Sequence, residues 1–228
     1  MAVVEGTTPL GRKRWHGLCS NYLNELVANC PPVRLWIRPG SFAGLPLAKS
    51  TSHQPSRRRQ WYESPLLCIG AGTGVAPLRG LILEREAVKE LEPTTSSSSL
   101  EESGASVHEF DNILVFGCRK RDMDYYYQEE WDNLHSMGRL SILTAFSQEQ
   151  AKKVYVQQVI KANGERIMKH IIENDGAIYI AGNPSMARYS KEELVEITAR
   201  LLGGDETKAN LVFKKMQARG RFSVEAWS

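Results

Sequence analysis

No run in this sequence is long and apolar enough to span a bilayer, and its N-terminus carries no signal-peptide pattern. Charge of one sign is also scarce. The 29 Lys and Arg against 26 Asp and Glu leave a formal +3, too little to draw a nucleic acid or an anionic membrane. The basic clusters Arg12–Arg14 and Arg57–Arg59 are local and read as solvated. Cysteine is sparse as well. Cys19, Cys30, Cys68 and Cys118 have no C-x-x-C spacing and no histidine at ligand spacing, so neither a disulfide framework nor a metal site is expected. Cys68 lies inside an apolar run, where a thiol behaves as a small hydrophobe. These absences predict a reduced, cytoplasmic compartment, with no nucleic-acid or membrane partner. No G-K-[ST] follows a glycine loop, which excludes a P-loop NTPase, and no internal repeat is present.

What the chain does have is Leu66–Arg79, LLCIGAGTGVAPLR. An apolar run ends in glycines at alternate positions, Gly70, Gly72 and Gly74, and a helix-compatible segment follows with Pro77 in its first turn. This is the pattern of a strand, a tight turn and a helix whose N-terminus faces a bound phosphate. Glycine permits positive φ and close approach of a ligand. The unpaired N–H groups and dipole of the helix end attract an anion. Thr73 adds a hydroxyl. Val75 takes the place of the third glycine of G-x-G-x-x-G, so the dinucleotide fingerprint is incomplete. A bare glycine turn joining strand to helix is the competing reading.

The 228 residues suffice for one large domain, or a small one with a medium one. Residues 1–45 differ in character from the rest. Ala2–Glu5 and Val33–Arg38 read as strands, and Ser20 can cap a short helix carrying Tyr22, Leu23, Leu26 and Val27. Residues 46–64 read as a linker. From residue 65 to 228 strands and helices alternate. The predicted elements are strand Leu66–Gly70, helix Val75–Glu90, strand Asn112–Cys118, helix Tyr125–His135 and strand Leu140–Phe146. They continue with helix Val156–Glu173, strand Ala177–Gly182, helices Lys191–Leu202 and Glu206–Arg219, and strand Phe222–Trp227. Residues 92–108, rich in Ser and Glu, read as a disordered insertion. Alternating elements predict an α/β fold, a doubly wound parallel sheet. Near-continuous apolar runs such as NILVFGC and AIYIAG fit strands buried on both faces.

Ligands of such sheets collect at the carboxyl ends of the strands. The second strand ends in Gly117-Cys118-Arg119-Lys120-Arg121, where an NAD site would offer an acid to the ribose. Cations there suit a 2′-phosphate and favour NADP; a solvated basic turn is the alternative. After the third strand, Ser147, Lys153 and Tyr155 could supply a hydroxyl, an ammonium and a stacking ring. The fourth ends in Ala181-Gly182-Asn183-Pro184, where small residues and Asn183 let a flat ring approach the backbone.

In this order, GAGTGVAPLR, VFGCRKRDMDYYYQEEW, AFSQEQAKKVYVQ, YIAGNPSMA and GRFSVEAWS resemble the NADPH-binding domain of ferredoxin-reductase type found in diflavin reductases. That group includes cytochrome P450 reductase, sulfite reductase and methionine synthase reductase. Residues 2–38 resemble the end of the antiparallel β FAD-binding domain of the same enzymes. The likeness is greatest to the cytosolic diflavin reductase that supplies electrons to iron–sulfur protein assembly.

The resemblance implies an NADPH-dependent flavoprotein oxidoreductase. Hydride would pass from NADPH to FAD, and electrons would pass through FMN to an acceptor protein, here an iron–sulfur assembly factor. It implies that Gly72, Thr73 and Gly74 hold the NADP pyrophosphate, and that Arg119, Ser147, Lys153 and Tyr155 bind the 2′-phosphate and adenine end. Gly17, Leu18, Cys19 and Ser20 would contact the FAD pyrophosphate. Trp227 would cover the flavin ring and move aside for nicotinamide, and Glu225 would assist hydride transfer. Without the resemblance, Trp227 reads as an edge-strand aromatic packed on the core.

Three positions depart from the pattern. Gln148 replaces an Arg beside the serine, Ala181 replaces an active-site cysteine of P450 reductase, and GNPSMA is one residue short. No FMN domain and no R-x-Y-S flavin motif are present, so the chain is expected to be a C-terminal fragment. A catalytically inert NADP(H)-binding module is the rival expectation.

Overall fold

The computed structural model describes residues 5–7, 14–16, 18–26, 34, 36, 42, 64–91 and 112–227. Two compact units divide the chain, Met1–Pro39 and Gly40–Ser228. In the first, β1 (Glu5–Thr7) pairs antiparallel with β2 (Arg14–His16), with Glu5 opposite His16, and α1 covers Leu18–Glu25. The helix begins before Ser20, so that residue sits inside it rather than capping it. Of the strand expected at Val33–Arg38, Arg34 and Trp36 are described and neither is in a strand. The insertion at 92–108 and all of the linker but Ser64 lie outside the described residues.

The second unit is built on a five-stranded parallel sheet. Its strands are β3 (Leu66–Ala71), β4 (Asn112–Cys118), β5 (Ser141–Phe146), β6 (Ala177–Gly182) and β7 (Phe222–Ala226), in the spatial order β5-β4-β3-β6-β7. A 3₁₀ turn, Gly72–Gly74, leads from β3 into α2 (Val75–Leu91). The other helices are α3 (Arg121–Asp124), α4 (Gln128–Ser136), α5 (Val156–Glu173), α6 (Pro184–Leu201) and α7 (Glu206–Ala218). None of the described helices is long and apolar enough to cross a membrane.

Period-two alternation splits the core between the two faces. Leu67 and Ile69 of β3 pack with Ile160 and Ile167 of α5 and Leu194 and Ile197 of α6. Leu66 and Cys68 point the other way, among Leu78 and Ile82 of α2 and Trp131 of α4. The sheet is therefore doubly wound, with apolar layers on both sides. Central strands β3, β4 and β6 are buried almost throughout, whereas edge strand β5 is half-buried. At the amino end of the sheet, buried Arg85 donates from Nε to Asn112 Oδ1 (2.9 Å) and from Nη2 to the Ser64 carbonyl (2.7 Å). Asn112 Nδ2 donates in turn to Glu86 Oε1 (2.9 Å) and the Arg139 carbonyl (3.0 Å). The network ties the entry of β3 to α2 and β4.

Two helices differ from expectation. The one predicted over Tyr125–His135 starts only at Gln128, as α4. Tyr127, in a left-handed conformation (φ 63°), makes a break between it and the separate turn α3, which lies before the predicted start. Buried contacts hold that break open. Tyr125 stacks on Phe116 (5.4 Å), and fully buried Trp131 donates from Nε1 to the Tyr126 carbonyl (2.8 Å). Conversely, α6 starts at Pro184 rather than Lys191. Proline suits the first helical position, and the Asn183 side chain caps the turn by accepting the Met186 N–H (2.8 Å).

Candidate functional site

Strand order determines where a ligand can bind. β4 and β5 succeed β3 on one side, and the chain then crosses to the other side for β6 and β7. The reversal falls between β3 and β6, and open α/β sheets bind ligands outside their carboxyl ends at such a point. A cleft of about 610 Å³ opens there, its described lining running from Ala71 to Trp227.

The glycine turn forms its floor. Gly72 has φ +55°, a left-handed conformation that disfavours any side chain, and it lines the cleft with Thr73. Gly74 serves a different purpose. A Cβ there would lie 2.1 Å from the Ala181 carbonyl oxygen, so the bare backbone is what lets the turn press on β6. Gly74 is buried and does not line the cleft. The turn leads directly into α2, whose first N–H groups and dipole favour an anion beside Thr73.

Residues 68–192, more than half the chain, match the family of oxidoreductase NAD-binding domains. The chain belongs to that family. It is 35% identical over 236 positions to NADPH-dependent diflavin oxidoreductase 1 of Mus musculus, covering all of this chain and 33% of the relative. It is 38% identical over 228 positions to NADPH–cytochrome P450 reductase of Drosophila melanogaster, covering 99% of this chain and 30% of the relative. The chain thus spans about a third of the length of these relatives.

Each strand of this oxidoreductase NAD-binding domain delivers a different group to the cleft. At the end of β4, Arg119 donates from Nε to Asp124 Oδ2 (3.0 Å), which also accepts the Arg119 backbone N–H (3.2 Å). Asp124 Oδ1 accepts the Lys120 N–H (2.8 Å). Burial pushes the Asp124 carboxyl up, but the Lys120 and Arg119 hydrogen bonds outweigh it and hold the group below the usual carboxylate range. The bond to Asp124 in turn raises Arg119. Of the three cations expected here, only Arg119 lines the cleft. Arg121 instead lies over the Phe146 and Tyr125 rings, at 4.6 and 5.2 Å.

Beyond β5 the ladder continues, with the Ser147 N–H on the Cys118 carbonyl and the Gln148 N–H on the Arg119 carbonyl (both 2.9 Å). This sets Ser147 on the cleft wall. Tyr155 caps α5, its N–H donating to Gln158 Oε1 (2.7 Å), and its half-exposed ring also lines the cleft. Lys153 is exposed and stands outside the lining. From β6 come Gly182 and Asn183, and from α6 Met186 and Tyr189. Trp227 follows β7, its N–H donating to the Gly182 carbonyl (3.1 Å), with its side chain in the lining.

One cleft therefore unites Gly72, Thr73, Arg119, Ser147, Tyr155, Asn183 and Trp227. Glu225, opposite Ala181 on β7, is not part of it. Leu18, Cys19 and Ser20 open α1 in the first unit, and Gly17 lies outside the described residues. Sequence reasoning missed Asp124, Tyr126, Met186 and Tyr189 as lining residues. A carboxylate set among the cations of RKRDMD was a readable signal for Asp124. Tyr189 had none, since its helix was expected to start after it.

Proposed function

We propose that residues 65–228 form the NADP(H)-binding domain of a flavin-dependent electron-transfer reductase, with residues 1–45 as the end of its FAD-binding domain and 46–64 as the linker. One observation carries this reading: a single switch-point cleft collects a phosphate-binding turn, a cation, a hydroxyl and three exposed aromatics, Tyr155, Tyr189 and Trp227. The residues fit the nucleotide. Thr73 and the α2 N-terminus suit the pyrophosphate, while Arg119 and Ser147 suit a 2′-phosphate. Tyr155 offers a stacking face to adenine, and Trp227, exposed at the cleft, is assigned to the nicotinamide or flavin ring.

When bound, the nicotinamide supplies hydride and the flavins accept and pass on electrons. The chain itself positions and shields. Trp227 and Tyr155 cover bound rings and exclude water, and the turn fixes the pyrophosphate. Glu225 remains a candidate for assisting transfer through its neighbourhood on β7 rather than from the cleft wall. Gly17, Leu18, Cys19 and Ser20 are proposed to meet the FAD pyrophosphate. The final acceptor in this reading is a protein of iron–sulfur assembly in the cytoplasm, as the motif resemblance implies, while the likeness to NADPH-dependent diflavin oxidoreductase 1 supports the NADPH and flavin part. A second reading is an NADP(H)-binding module without flavin chemistry: Thr73, Arg119, Ser147, Tyr155 and Trp227, the groups assigned to the nucleotide above, all belong to the second unit.

Calorimetry with 2′,5′-ADP and 5′-AMP tests the nucleotide assignment. Charge-assisted contacts to phosphate contribute about 1.5–3 kcal/mol each, so 2′,5′-ADP should bind at least tenfold tighter. Lys153→Ala should weaken 2′,5′-ADP alone, its flexible ammonium reaching the 2′-phosphate from the rim. Equal affinities would overturn the assignment. Purified protein that is yellow with FAD supports the reductase, and colourless protein that binds 2′,5′-ADP supports the module.

A further inference from the structure

The carboxylate of Asp124 is an unexpected lining group for a cleft that is to take an anion. It is only 8% exposed, and it spends its oxygens on three N–H groups of residues 119 and 120. No other described carboxylate lines the cleft. Its partner Arg119 is the cleft's one cation among the described residues, with a side chain 62% exposed. An arginine that exposed would otherwise sample many rotamers and lose that freedom on binding. Asp124 engages Nε alone, so Nη1 and Nη2 stay available as a fixed pair of donors.

We propose that Asp124 is a positioning residue for 2′-phosphate selectivity, holding the Arg119 guanidinium with its outer edge turned to the ligand. This rests on the nucleotide reading above. A carboxylate beside the site also dilutes the local positive charge, which opposes anion binding. Orientation prevails because the exposed guanidinium is screened by solvent in any case, whereas a held fork keeps its geometry at every ionic strength. The same carboxylate joins the Arg119 and Lys120 backbone, so the turn and the side chain are fixed by one group.

The test compares four variants of the full 228-residue chain by calorimetry with 2′,5′-ADP and 5′-AMP, with thermal melting to confirm folding. Arg119→Ala should weaken 2′,5′-ADP about tenfold, the size of one charged hydrogen bond. If it does not, the nucleotide role of Arg119 fails and the positioning role falls with it. Asp124→Asn should weaken 2′,5′-ADP about five- to tenfold and leave 5′-AMP within about twofold. The double variant should lose no more than Arg119→Ala alone, as expected of a residue acting only through another. Arg119→Lys keeps the charge but not the fork, and should lose selectivity nearly as fully as Arg119→Ala. Three results would overturn the proposal even with Arg119 confirmed. These are tighter 2′,5′-ADP binding by Asp124→Asn, equal weakening of both nucleotides, or unchanged selectivity in Arg119→Lys. The last decides the matter even if Asp124→Asn does not fold.

Discussion

Trp227 is held by its backbone while its side chain stays partly exposed. Its N–H reaches back to the Gly182 carbonyl, one residue past the end of β7, and the side chain is 39% exposed at the cleft. A core-packing tryptophan would be more deeply buried, as Trp131 is. A ring placed to cover a flavin must instead yield to nicotinamide. Stacking contributes roughly 0.5–1.5 kcal/mol beyond area burial, enough to shift competition between two rings severalfold. In a longer version carrying both flavins, Trp227→Ala should therefore strengthen nicotinamide binding severalfold and relax the preference for NADPH over NADH. Steady-state kinetics with both nucleotides measure this. A variant that melts lower but keeps the wild-type preference would make Trp227 a packing residue. The Ala181 position gives a contrasting case: its side chain is wholly buried in β6, and its carbonyl abuts Gly74.

The turn between β3 and α2 functions as an element because its glycines do different things. At Gly74 the constraint is a backbone carbonyl, which cannot swing aside as a flexible side chain can. Gly74→Ala should cost about 1–3 kcal/mol, the usual penalty of forced overpacking. Gly72→Ala finds open space and meets only backbone strain, so it should destabilise less. Urea unfolding of the two variants checks the order, and a Gly74→Ala midpoint equal to wild type would contradict it. The strands around this turn were legible in the sequence to within a residue or so, since double-sided burial writes itself as unbroken apolar runs. Helix limits were not. Tyr127 gives no compositional sign of its left-handed backbone, which tertiary contacts of Trp131 and Tyr125 impose. Asn183-Pro184 is a cap and first helical position, yet its small polar residues also describe a loop. At the site, Gly72, Thr73 and Arg119 were readable because each stands at a strand end. Tyr189 enters through the path of α6, which no local pattern discloses.

Across the second unit, several protons are held by burial. The Cys68 thiol is pushed up to about 12 by desolvation, against a smaller opposing pull from Arg85. Cys118 also stands at about 12, through burial first and then Asp124 and Glu149. Tyr125 is raised to about 12 and Tyr179 is raised too, chiefly by burial. These groups bind protons more tightly folded than unfolded. Their stabilisation is complete below the unfolded thiol value near 9 and is lost as pH rises towards the folded values. Fully buried Cys68 alone should account for a loss on the order of a few kcal/mol. Urea midpoints should fall steeply above pH 9, and a flat profile to pH 11 would refute the buried-thiol account. Sheet order has a further consequence, for synthesis. Leu66 pairs with Asn112 on one side but with Ala177 on the other. At about 5–20 residues per second, β6 leaves the ribosome on the order of ten seconds after β3. Throughout that interval β3, fully apolar over Leu66–Ile69, has a bare flank, a template for another nascent chain. Its yield in the cell should therefore depend on chaperone supply far more than on the stability of the finished fold.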